Sequence, residues 1–96
     1  MLLDKPYKTG DIISLKLTSG EELVAKFVEE TDNSIKVWNP LILSMMQGGQ
    51  FGLAPYMMTV DPRMNFTLKS SAVVCIARTV EDTANSFIEV TSGIKL

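Results

Sequence analysis

The stretch "DIISLKLTSG" alternates: Ile13, Leu15 and Leu17 fall on one side, Ser14, Lys16 and Thr18 on the other. A period of two predicts a strand with one buried face. Ser19 and Gly20 then supply a turn, with Gly20 free to take a positive φ. In "EELVAKFVEE", Leu23, Ala25 and Phe27 alternate with Glu22, Val24 and Lys26. Glu, Leu, Ala and Lys are also good helix formers, so a helix competes. The strand is favoured because the neighbouring runs are strands and a short Ser-Gly turn suits a hairpin. "TDN" turns the chain, and "SIKVW" resumes the alternation with Trp38 opposite Ile35 and Val37, as an interface anchor or a lid on the core.

Pro40 has no N–H for a ladder and is expected at an edge or a bulge. "LILSMM" continues extended, "QGGQFG" reads as a hairpin tip, and "LAPYMMTV" returns. "DPRM" is a break, "NFTL" a short strand and "KSS" a turn. "AVVCIARTV" is a nearly continuous apolar run, which predicts a strand buried on both faces with Cys75 as an inert buried thiol. The tail changes period: Ala84, Phe87, Ile88 and Thr91 mark one face of a helix over about residues 82–92. Asp82 or Thr83 is the expected start cap and Gly93 the end. The sum is a mainly β fold: a small, strongly bent, five-stranded open barrel over about residues 11–80, with a short C-terminal helix. Residues 1–10 form a polar lead-in.

The 96 residues suffice for one domain, 1–96. A chain of this size buries only about 60–70% of its unfolded surface, and small β domains often supplement such a core by oligomerising. Hydrophobic residues at 46% and charged residues at 21% are globular values. A net charge of −2 argues against a protein that coats DNA at large. It leaves room for a local basic site, because in a symmetric ring one lysine per subunit becomes a ring of lysines. The single cysteine precludes an intrachain disulfide and fits a reducing cytoplasm. No signal-peptide pattern opens the chain, and no apolar run approaches the ~20 residues of a membrane span. There is no histidine, and no paired carboxylates, nucleophile elbow or metal cluster stand out. The expectation is a protein without catalytic residues, metal or cofactor.

The layout resembles the Sm-like family, which includes bacterial Hfq, over roughly residues 10–80. Gly20 matches the turn of the family's first motif, "LVAKFVEE" its second strand, and "TDNSIKVW" its acidic loop and third strand. "LKSSAVVCIA" looks like the second motif, with Lys69 at the family's arginine and Ser70 at its glycine. Small Sm-like proteins of cyanophage origin look closest as a group. The chain departs from the pattern at several points. The RNA-contacting asparagine falls on Ile35, and the stacking aromatic or histidine falls near Asn33 or Ser34. The segment from Leu41 to Asn65 is longer than the family's connection. The clear helix here follows the last strand, whereas the family's precedes the first.

The resemblance implies a homo-oligomeric ring closed by edge strands around Phe66–Leu68 and Val73–Ala77. It further implies a cytoplasmic protein, of a bacterium or a phage-infected cell, that binds single-stranded RNA or DNA at loops facing the pore. Those loops would be "EETDNS" and "LKSS". Asp32, Asn33 and Ser34 would meet a base edge, Lys69 a phosphate or a base, and Ser70 and Ser71 phosphate oxygens. The plain alternative is that Asp, Asn and Ser are turn formers. The acidic cluster Glu29, Glu30 and Asp32 reads as a solvated turn more readily than as a cation site, since it lacks a loop-motif spacing. Met45, Met46, Met57 and Met58, with Phe51 and Tyr56, suggest a hairpin packed on a neighbouring subunit, or else an adaptable partner surface or stacking platform. A ring used for protein interaction or scaffolding, without a nucleic-acid pocket, is the second functional reading.

Overall fold

The computed structural model describes residues 6–93. Six strands run in order: β1 (Ile12–Leu17), β2 (Glu22–Glu30), β3 (Ser34–Met45), β4 (Phe51–Pro55), β5 (Asn65–Lys69) and β6 (Val73–Arg78). One helix, α1 (Glu81–Ser92), follows. The fold is mainly β, a bent antiparallel sheet that does not close on itself. Its order is β4-β3-β2-β1-β6, and β5 also pairs with β3. β4 is the return strand expected over "LAPYMMTV", and with it the strands number six among the described residues rather than five. It hairpins with the end of β3 around the tip at residues 46–50, and it stops at Pro55 rather than running on through Met57 and Val60.

The bend is written into β3. Its first half, Ser34–Trp38, pairs with β5, and its second half, Leu41–Met45, pairs with β4. Against β2 the ladder runs Lys26↔Trp38 and then Val24↔Leu41, so β3 carries an extra residue at Asn39–Pro40. Asn39 takes φ 53°, a left-handed conformation that Asn tolerates better than most residues. Pro40 follows it at the bulge, as its missing N–H requires, and is fully buried. Bulges of this kind raise local twist and let a sheet curl.

Two apolar clusters result. Ile13, Leu15, Leu17, Leu23, Ala25, Phe27, Ile35 and Val37 fill the inner face, with Phe66, Leu68 and Ile76 against them. "EELVAKFVEE" is a strand despite its helix-forming residues because its alternation places Leu23, Ala25 and Phe27 in this core. On the other face Val24, Leu41 and Phe87 cluster with Ile12, Trp38, Leu53 and Ile88. Trp38 therefore helps to line the seat of α1, and the Lys26 ammonium lies 4.8 Å from the centre of its ring. Phe87 is fully buried, which contributes about 1.5–3 kcal/mol and docks the helix. Gly93 ends the helix with φ 76°. Neither Asp82 nor Thr83 caps its start: the helix begins one residue earlier, and Val80 holds the cap position without a side-chain bond.

The apolar run "AVVCIARTV" is not a doubly buried strand. Among the described residues β6 pairs with β1 alone and is an edge strand, and Val74 is 65% exposed and Cys75 exposed as well. Only one of its edges meets a ladder among the described residues, and its outer face is left exposed. Among the described residues no helix is long and apolar enough to cross a membrane.

Candidate nucleic-acid interface

Thr31, Asp32 and Asn33 link β2 to β3, with Asp32 and Asn33 at the tip of the turn. The Thr31 N–H donates to the Ser34 carbonyl at 2.9 Å, and the Thr31 and Ser34 hydroxyls hydrogen-bond to each other at 2.7 Å. The Ser34 N–H returns a bond to the Thr31 hydroxyl at 3.2 Å. Thr31 thus fixes the turn and leaves the Asp32 side chain outside it.

The second turn is a single 3-10 turn, Ser70–Ala72, between β5 and β6. Pairing of β5 with β3 sets Ser34 opposite Lys69 and Lys36 opposite Thr67. Directly opposed residues share a face, so Ser34, Lys36, Thr67 and Lys69 stand together on the face away from Ile35 and Leu68. One backbone bond then joins the two turns: the Ser70 N–H donates to the Asn33 carbonyl at 3.0 Å.

The outcome is a cleft of about 570 Å³ lined by Asp32, Asn33, Ser34, Thr67, Lys69, Ser70 and Ser71. All six residues singled out in the sequence converge on it. Thr67 is the one lining residue that sequence reasoning missed. Its signal was the alternation of "NFTLK", which places Thr67 on the same face as Lys69. No aromatic side chain lines the cleft.

The polar groups in it differ in how they are engaged. Asn33 Oδ1 accepts a long 3.4 Å bond from Thr31, and the Ser34 hydroxyl is held by the same residue. The Ser70 hydroxyl oxygen is shielded from solvent and has no hydrogen-bond partner. An unpaired buried hydroxyl costs about 1–3 kcal/mol, an unusual feature for a simple turn. Of the nearby acids, Glu29 faces Lys36 at 3.5 Å in an exposed ion pair.

The Met-rich segment lies elsewhere. Met45, Met46, Phe51 and Met58 are 63%, 58%, 61% and 86% exposed, on the hairpin and the loop after it. Tyr56 instead packs against the inner core.

No family model matches the chain, and no curated protein matches it.

Proposed function

We propose that this chain is a non-enzymatic, ring-forming, Sm-like protein that binds single-stranded nucleic acid, RNA above DNA, through the cleft between its two turns. The observation that carries this reading is the convergence of Asp32–Ser34 and Lys69–Ser71 on one cleft, tied by the Asn33–Ser70 bond. Base edges would meet Asp32, Asn33 and Ser34. Lys69 would supply the positive charge, and Ser70 and Ser71 would donate hydrogen bonds. Single-stranded RNA is read through such exposed polar edges. The edges of β5 and β6 support assembly, since among the described residues each pairs on one side only and head-to-tail contacts can close a ring. The reading places the ring in the cytoplasm of a bacterium or a phage-infected cell, where an exposed thiol such as Cys75 stays reduced.

The test is a titration of short fluorescent single strands by anisotropy at several salt concentrations, with Lys69→Ala beside the parent. Salt-sensitive binding with a log–log slope near −0.7 per phosphate contacted, weakened in Lys69→Ala, supports the reading. An absence of binding at low salt sinks it.

A second reading, a protein-interaction ring, rests on the exposed apolar hairpin around Met45, Met46 and Phe51 and on the lack of a stacking side chain in the cleft. Under that reading, substitutions on the hairpin disturb partner capture and Lys69→Ala does not.

A further inference from the structure

Resting on the nucleic-acid reading, we infer that the cleft selects guanine, with the Asp32 carboxylate taking the donors of its Watson–Crick edge and Lys69 its O6. Asp32 and Lys69 stand on turns held together by a 3.0 Å backbone bond, yet they form no salt bridge with each other. Among the described residues, no hydrogen bond or ion pair engages either side-chain charge. The cleft therefore offers an acceptor-only anion and a donor-only cation, both unspent.

The four bases answer that pair differently. Guanine presents two adjacent donors, N1–H and the N2 amino group, followed by the O6 acceptor. A carboxylate has two oxygens and takes adjacent donors side by side, while an ammonium beyond them meets O6. Uracil sets one N–H between two carbonyl oxygens, and both would face the carboxylate unfavourably. Adenine and cytosine each pair one amino donor with a ring-nitrogen acceptor, which a carboxylate repels. Guanine alone matches both charges at once.

Two further features make hydrogen-bond identity decisive. The lining has no aromatic ring, so base-independent stacking contributes little. The Asp32 carboxylate in the lining is a negative charge that weakens indiscriminate attraction of phosphates. A site poor in both general sources of affinity depends on the base edge.

The experiment uses the full chain and labelled adenine-rich heptamers that differ only at the centre: guanine, adenine, uracil, cytosine or inosine. Inosine lacks the N2 amino group and keeps N1–H and O6. The expected order places guanine about tenfold or more above adenine, uracil and cytosine, with inosine between. In Asp32→Asn, which replaces one acceptor oxygen by a donor, the guanine preference collapses while the circular-dichroism spectrum is retained. Lys69→Ala weakens the guanine strand most. Equal affinity for all five strands, or preference for another base, overturns the inference and leaves nucleic-acid binding standing. Failure of every strand to bind at low salt overturns the functional reading and the inference together.

Discussion

Arg78 Nη1 lies 3.0 Å from Asp11 Oδ2, and the same carboxylate oxygen accepts the Lys8 backbone N–H at 2.8 Å. Arg78 also donates through Nη2 to the Pro6 carbonyl at 2.6 Å. Tyr7 sits inside this arrangement: its hydroxyl donates to the Ile76 carbonyl at 3.0 Å, and its ring packs on the inner core. Residues 6–11 are therefore fastened to the end of β6, although the two are far apart in sequence.

This fastening predicts an acid-sensitive step. The Lys8 N–H bond, followed by the charge of Arg78, holds the Asp11 carboxyl below its ordinary value of 3.8. A carboxylate with a lowered folded-state pKa contributes stability that is present above the unfolded pKa. That contribution is lost as pH falls through the folded one. Thermal melts from pH 7 downward are expected to show a loss of stability beginning near pH 4 that is smaller in Asp11→Asn. Parallel pH curves for the two proteins would show that Asp11 contributes nothing specific.

Asn39 carries the second prediction. It is 3% exposed, sits at φ 53°, and its Oδ1 is buried without a hydrogen-bond partner. Its backbone conformation is the useful property, because the Asn39 N–H donates to the Met64 carbonyl at 3.0 Å where β3 changes partner. Asn39→Gly keeps that conformation and removes the orphan oxygen, so it should be neutral or slightly stabilising. Asn39→Val removes the oxygen but resists the left-handed region, and should cost about 1–3 kcal/mol in denaturant unfolding. Equal effects of the two substitutions would mean that the side chain, not the backbone, matters here.

Much of this was legible in the sequence, for identifiable reasons. Alternation fixed the facing of Ile13, Leu15 and Leu17 and of Leu23, Ala25 and Phe27, because one buried face leaves a period of two. The helical spacing of Ala84, Phe87 and Ile88 located α1. The two turns of the cleft were found as short polar clusters between strands. What misled was hydrophobicity without periodicity. The run around Cys75 is apolar enough for a central strand, but nothing local says whether a neighbouring strand or another chain covers it. The start of α1 was misplaced by one residue because Asp82 has the side chain of a cap while Val80 has the required backbone position. The split of β3 between two partners was foreshadowed by Pro40 alone, since the rest of the bend depends on strands distant in sequence.

The last prediction concerns those open edges. Among the described residues β5 pairs with β3 alone and β6 with β1 alone, which leaves an open edge on each. Val74 is the extra residue where the β1–β6 register shifts, between Lys16↔Cys75 and Leu17↔Val73, and it is 65% exposed. A lysine on such an edge is a known device against strand pairing. If the edges join copies head to tail, light scattering of the parent at micromolar concentration should give a multiple of its 10.6 kDa mass. Val74→Lys should shift that mass toward the monomer without changing the circular-dichroism spectrum. Val90→Lys, on the outer side of α1 at a similar 61% exposure, should leave the mass unchanged. A monomeric parent would remove the ring. An oligomer insensitive to Val74→Lys would place its interface away from β6, and the exposed hairpin around Met45, Met46 and Phe51 would then be the surface to substitute.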